Sequence, residues 1–307
     1  MSNKKIIFMG TPNIATDYLK SLIKNQISIF SVITQPPKKQ SRGMKIIKSP
    51  VHVLALENNL KVLTPQEFDI ETINDFKKLH PDLIIVMAYG KILPKAILDL
   101  PMYGCINIHV SFLPRWRGAA PIEYTLMSGD TETGITIIRL TEKLDAGPII
   151  AQKKFMIPEN FNKIQLSNSL TLLGTKLLAK TIPKIFNNEI VLNAQNEDHA
   201  TYANKITSEV RKINFDNSTK NIINQIRAHA PKPGAWFYLN EERIKIIDAK
   251  PGHARGEKST ILNSNFEIAC NDGSILPLIL QREGKKVVTI ENFLRGFKPK
   301  IHDVINA

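Results

Sequence analysis

The stretch Lys5–Asn13, K-I-I-F-M-G-T-P-N, decides the fold. Ile6 to Met9 is apolar without a break, the pattern of a strand covered on both faces. Gly10-Thr11-Pro12 turns the chain, and Asn13–Lys24 then carries Ile14, Leu19, Leu22 and Ile23 at helical spacing. Strand, glycine turn and helix in that order open an α/β fold, a Rossmann-like open and mostly parallel sheet. One glycine is not the G-x-G-x-x-G of a dinucleotide site, and a tight strand-to-helix turn accounts for it.

Outward from there the same alternation continues. Ile27–Thr34 reads as a second strand, Val51–Asn58 as a helix, Lys61–Leu63 as a short strand, and Asp69–Leu79 as a helix with Ile70, Ile73 and Phe76 on one face. Leu83–Met87 is a continuous apolar run between Pro81 and Gly90, as expected of a central parallel strand. Pro94–Leu98 begins a helix, and Cys105–His109 is the next strand. The strands bearing Ala88 and His109 therefore end at one rim of the sheet, where open α/β sheets bind ligands. Ile122–Met127 and Asn162–Asn187 are predicted helices, and Glu132–Leu140 an edge or mixed strand pairing with Pro148–Lys154 around Asp145. Residues 1–188 are expected to form one domain and 189–207 a polar linker. After the helix Thr219–His229, the short alternating segments of 208–307 predict a small β-barrel, with Asn271-Asp272-Gly273 as a hairpin turn.

The chemistry concentrates in Cys105–Gly118, C-I-N-I-H-V-S-F-L-P-R-W-R-G, and in Leu140–Ile150, L-T-E-K-L-D-A-G-P-I-I. Asn107 and His109 are two apart on a strand and point the same way. Asp145 sits in a turn-like L-D-A-G-P. An amide can donate to a carbonyl oxygen that is becoming an oxyanion, an imidazole can move a proton near neutral pH, and a carboxylate can orient it. No serine or cysteine beside them is required as a nucleophile. The set suits acyl transfer to a nucleophile carried by the substrate, by direct attack through a tetrahedral intermediate.

Charge points to a second kind of partner. The 307 residues carry a net charge of +13, which suggests a polyanionic partner such as nucleic acid, with a lysine-rich composition as the bland alternative. Gln35–Pro50 holds Lys38, Lys39, Arg42, Lys45 and Lys48 and no acid, and its prolines and glycine argue against regular structure. It reads either as a solvated insertion or as a phosphate-gripping loop. From Lys205 onward there are 17 Lys and Arg against 11 Asp and Glu. Two distant cysteines form neither a disulfide framework nor a zinc pattern, so a reducing cytoplasm is expected and no metal. The longest apolar run is far short of a bilayer span, so no membrane partner is expected.

These motifs carry a resemblance. N-I-H-x-S-x-L-P-R-W-R-G-A-A-P-I, followed by G-I-T-I and L-D-A-G-P-I, is similar to the folate-dependent formyltransferases. F-M-G-T-P, T-Q-P-P, V-M-A-Y-G and P-K-P-G-A-W extend the likeness over nearly the whole chain. The family commonly has glycine after the histidine, where this chain has Val110. The resemblance implies a one-carbon transferase that moves a formyl group from 10-formyltetrahydrofolate to the α-amine of methionyl initiator tRNA. Asn107, His109 and Asp145 would be catalytic. Ser111, Phe112, Leu113, Pro114, Ala88 and Tyr89 would wall the folate. Lys38, Lys39, Arg42, Lys45 and Lys48 would meet the tRNA acceptor arm, and residues 208–307 would form an OB-like tRNA-binding domain. A monomer without a protein partner is expected. The alternatives are a formyltransferase for a small amine, such as a phosphoribosyl glycinamide or an amino-sugar nucleotide, and a non-catalytic RNA-binding protein on this scaffold.

Overall fold

The computed structural model describes residues 4–40 and 45–305, with the backbone alone at Lys39, Gln40 and Lys45. In chain order it forms β1 (Ile6–Gly10), α1 (Asn13–Lys24), β2 (Ile29–Ile33), β3 (Lys38–Gln40), β4 (Lys45–Ile47), α2 (Pro50–Glu57), β5 (Val62–Leu63), α3 (Ile70–Leu79), β6 (Leu83–Met87), α4 (Lys95–Leu98), β7 (Cys105–His109), β8 (Arg117–Gly118), α5 (Pro121–Met127), β9 (Glu132–Arg139), β10 (Ile149–Met156) and α6 (Lys163–Phe186). Then follow β11 (Tyr202–Ala203), α7 (Thr219–His229), β12 (Ala235–Leu239), β13 (Glu242–Pro251), β14 (Ile268–Ala269), β15 (Ser274–Arg282), β16 (Val287–Thr289) and α8 (Ile290–Gly296). These elements group into two compact units.

The first unit holds a seven-stranded sheet in the order β10-β9-β7-β6-β1-β2-β5. β7, β6, β1, β2 and β5 run parallel, and β9 lies antiparallel on β7. Every residue of β1 and of β6 is buried, which is why both read as unbroken apolar runs. The helices begin where their sequence allows. Ser49 caps α2 by accepting from the His52 N–H with Pro50 in the first turn, and Asp69 caps α3 by accepting from the Thr72 N–H at 2.8 Å. Gly174 of α6 lets that helix meet α1, because a Cβ there would come within 2.0 Å of the Tyr18 hydroxyl.

Gln35–Pro50 differs from the irregular loop expected. β3 and β4 pair antiparallel within it, Lys38 opposite Ile47 and Lys39 opposite Ile46. The ladder forms between the flanking prolines and uses backbone groups that prolines leave free.

The second unit comprises residues 119–132, 156–166 and 203–307. β12-β13-β15-β14 is antiparallel, with β16 added to β15, and makes a small half-barrel sheet. Its core gathers Ile222 and Ile226 of α7, Phe237, Ile244, Ile268, Leu280 and Phe293 of α8. The Asn271-Asp272-Gly273 turn joins β14 to β15, closed by the Cys270 N–H donating to the Gly273 carbonyl at 2.8 Å.

Residues 189–202 belong to the first unit and are tied to it. Asn193 pairs with Ile149 through two backbone hydrogen bonds, at 2.7 and 3.0 Å. Stretches read as polar linker by composition here carry specific contacts.

Candidate active site

The site lies at the C-terminal rim of the parallel strands. The rim is stitched by the Tyr89 carbonyl, which accepts from the Thr11 hydroxyl and from the Gln35 amide, each at 2.9 Å. Those three residues follow β1, β2 and β6, so three strand ends are fixed against one another. Ala88 takes a left-handed φ of +49° at this rim and is exposed, whereas Tyr89 turns back and is buried. Burial pushes the Tyr89 phenol up to about 12, so it stays neutral.

β7 delivers Asn107 and His109 to one face, as their spacing predicts. Asp145 arrives from the loop after β9 in a left-handed conformation, φ +48°. The Asn107 amide donates to Asp145 Oδ1 at 3.4 Å, and His109 Nδ1 stands 3.6 Å from Asp145 Oδ2. The second distance is too long for a hydrogen bond. His109 is instead held by its other nitrogen, with Nε2 2.7 Å from the Trp116 carbonyl oxygen. A carbonyl only accepts, so Nε2 carries a hydrogen whatever the charge on the ring. The site that can gain or lose a proton is thus Nδ1, facing the carboxylate. Asp145 Oδ2 accepts from the Gly118 N–H at 2.9 Å. Asp145 thus faces the imidazole without a hydrogen bond to it, while the Trp116 carbonyl holds the ring from its other side and the Gly118 N–H holds Asp145. His109 and Asp145 are 5% and 8% exposed, and Asn107 is half-buried.

Val110 has an ordinary negative φ, so the turn after His109 needs no glycine. The Thr136 hydroxyl shapes the loop that follows. It donates to the Ser111 carbonyl at 2.8 Å and accepts from the Leu113 N–H at 3.1 Å and the Gln152 amide at 3.0 Å. Ser111 and Leu113 are fully buried, and the Ser111 hydroxyl donates to the Arg115 carbonyl at 2.6 Å. Of the six residues expected to wall a folate, Ala88, Phe112 and Pro114 keep accessible surface, and Ser111, Leu113 and Tyr89 are buried. Burial pushes the Cys105 thiol up to about 12, which removes it as a nucleophile.

Lys38 and Lys48 are exposed and line a cleft of about 650 Å³ with Thr11, Asn13 and Ser49. Lys38 Nζ donates to Gln35 Oε1 at 2.8 Å, which links the basic hairpin to the rim. Lys39 and Lys45 lie on the paired strands, and Arg42 lies outside the described residues.

Sequence reasoning missed Arg117, Thr136, Gln152 and Gln195. Arg117 is 1% exposed; its Nη1 and Nη2 donate to the two Glu197 oxygens at 2.8 and 2.9 Å, and its Nε and Nη2 to Gln195 Oε1 at 3.1 and 2.9 Å. The bonds between Arg117 and Glu197 raise the Arg117 guanidinium above its ordinary value and hold the Glu197 carboxyl below the usual range. Gln195 lies in a polar run with no periodicity, so nothing local marked it.

The fold and this rim define a formyl transferase. The formyl transferase family model matches residues 4–182, the formyl transferase C-terminal domain model matches residues 205–298, and the chain belongs to that family. It is 42% identical over 295 residues to a methionyl-tRNA formyltransferase of Wolbachia sp. subsp. Drosophila simulans (strain wRi), covering 96% of this chain and 97% of the relative. It is 41% identical over 307 residues to a methionyl-tRNA formyltransferase of Ehrlichia ruminantium (strain Gardel), covering 98% and 99%. Among solved structures, a sugar 3N-formyl transferase in the presence of dTDP and 5-N-formyl-THF is similar with TM-score 0.68 and 26% identity over 92% of this chain and 99% of that one. An N-formyltransferase from Helicobacter canadensis, in complex with folinic acid and dTDP-3-aminofucose, is similar with TM-score 0.67 and 25% identity, covering 91% and 99%.

Proposed function

We infer that this chain transfers the formyl group of 10-formyltetrahydrofolate to the α-amine of methionyl initiator tRNA, for translation initiation in the cytoplasm. The carrying observation is that Asp145 meets both Asn107, at 3.4 Å, and His109, at 3.6 Å, at the rim of a formyl transferase sheet. Relatives named for this reaction match both the first and the second unit, which favours the tRNA over a small amine.

In the reaction the amine forms a C–N bond to the formyl carbon, the bond from that carbon to the donor nitrogen breaks, and one proton passes from the amine to the donor. Asn107 donates its amide to the formyl oxygen as negative charge builds there, a contact that strengthens in the transition state. His109 uses Nδ1 for the proton, since Nε2 is committed to Trp116. Asp145 Oδ2 faces Nδ1 at 3.6 Å, so a shift of under about 1 Å brings the carboxylate within hydrogen-bond reach as the proton moves. Folate, the formyl donor, would be held by Ala88, Phe112 and Pro114, with Tyr89, Ser111 and Leu113 buried. Lys38, Lys39, Arg42, Lys45 and Lys48, with the basic residues beyond 208, grip tRNA phosphates. The protein acts as a monomer.

The test gives the purified protein 10-formyltetrahydrofolate with charged initiator tRNA, a phosphoribosyl glycinamide or an amino-sugar nucleotide. Formylation of the tRNA at a kcat/KM at least ~10³-fold above either small amine is expected, since binding energy from remote substrate parts is used in the transition state. Preference for a small amine would replace the substrate assignment, and no transfer to any of them would leave an RNA-binding role.

A further inference from the structure

We propose that Gln195 is a positioning residue for the reaction, clamping the backbone of the Asp145 loop so that the carboxylate stays between Asn107 and His109. The inference rests on the catalytic reading of Asp145 given above.

Gln195 Nε2 donates to two backbone carbonyls, Asp145 O and Gly147 O, each at 2.8 Å. Both hydrogens of the amide are thereby used on one loop. Its Oε1 is fixed just as fully, accepting from Arg117 Nε and Nη2. A guanidinium only donates and a carbonyl only accepts, so a flipped amide would oppose like groups at both ends and lose all four bonds. Arg117 thus sets the orientation of Gln195, and Gln195 sets the loop. Glu197 completes the arrangement by neutralising the buried guanidinium from outside.

The loop needs such a clamp. Asp145 holds φ +48°, a sparsely populated left-handed conformation that costs some strain even for an aspartate. Gly147 is seated so tightly that a Cβ would fall 1.8 Å from the Arg139 carbonyl oxygen. The side chain of Asp145 has one short contact, the Gly118 N–H, and Gly118 follows Arg117 directly. The Arg117-Gly118 pair therefore grips Asp145 at both ends, its carboxylate directly and its backbone through Gln195. Removing Gln195 leaves Gly118 holding only the far end of a strained residue.

The experiment compares Gln195→Ala and Gln195→Glu in the full-length protein. Glutamate keeps the length and the pairing to Arg117 but has no hydrogen to give the two carbonyls. Each variant is expected to lose about 10–100-fold in kcat, the scale typical of removing a partner that orients a functional side chain. KM for the formyl donor and for the tRNA should stay within about threefold, since no substrate contact is lost. In an Asp145→Ala background, Gln195→Ala should cost less than about threefold more, because its effect acts through a carboxylate no longer there. Crystal structures of the variants should show the Asp145 carboxylate away from the Gly118 N–H. Asp145 unmoved in Gln195→Ala, or a full additive loss in the double variant, overturns the proposal. Asp145 displaced with turnover retained would uphold the clamp and sink the catalytic role of Asp145 instead.

Discussion

His229 should make the second unit sensitive to mild acid. It ends α7, is 0% exposed, and neither ring nitrogen has a hydrogen-bond partner. Burial, with Lys163 and Arg211 adding like charge, lowers its pKa from 6.5 to about 4. The unfolded chain therefore takes up a proton near pH 6.5 that the folded unit refuses until about pH 4. Stability is fully present above 6.5, falls as pH drops through that window, and levels off below it. The difference between 6.5 and about 4 corresponds to about 3 kcal/mol, a large part of a domain's stability. The perturbation is His229→Leu, which forfeits no hydrogen bond and should change stability at pH 7.5 by less than about 1 kcal/mol. The assay is urea unfolding from pH 7.5 to 4, followed by the fluorescence of Trp236 in a Trp116→Phe background so that only this unit is read. Carboxylates such as Glu242 and Asp272, whose pKa values are lowered, also lose stabilisation in acid, but equally in both proteins. The wild-type curve minus the His229→Leu curve should therefore drop by about 3 kcal/mol between pH 6.5 and 4. A flat difference would show that the ring finds a partner or water that keeps it protonatable.

Three further outcomes are expected. Asn107→Ala should lose ~10²-fold or more in kcat with an unchanged melting temperature, as for loss of one oxyanion donor; near-wild-type turnover measured with charged tRNA would end that assignment. Gly147→Ala should abolish most turnover and lower the melting temperature, because the added methyl meets the Arg139 backbone and cannot be relieved by a rotamer change. Neutralising Lys38 and Lys48 together should lower the slope of log K against log salt for tRNA binding by roughly two if both meet phosphates, and leave it unchanged if both are only solvated.

The sheet was legible because β1 and β6 are buried on both faces and so had to be continuous apolar runs. Asn107 and His109 were legible for the opposite reason: they interrupt such a run with period two. Asp145 could be found by its motif, but not its left-handed backbone, since most residues with that conformation here, including Ala88 and Trp116, are not glycine. The β3–β4 pairing was hidden by lysines and prolines that disfavour strands locally, while the ladder uses main-chain atoms common to every residue. Gln195 was the least visible. Its meaning comes from Arg117, 78 residues earlier, and from a loop 50 residues earlier, and a glutamine among asparagines has no local pattern to betray this.

The tethering of residues 189–202 decides where the chain can be cut. A fragment ending at 188 retains every strand of the parallel sheet yet strands the Arg117 guanidinium, 1% exposed, without Gln195 or Glu197. The same cut removes the Thr201 carbonyl that accepts from the Arg117 N–H at 2.8 Å, so such a piece would be expected to open around β8. A fragment running through Tyr202 keeps that ion pair and also the Thr201 hydroxyl that accepts from the Trp116 N–H at 2.9 Å. Limited proteolysis should reflect the same rule, sparing the bonds around Gln195 despite their polar, linker-like composition, and domain-dissection experiments should place the terminus about fourteen residues later than composition alone would put it.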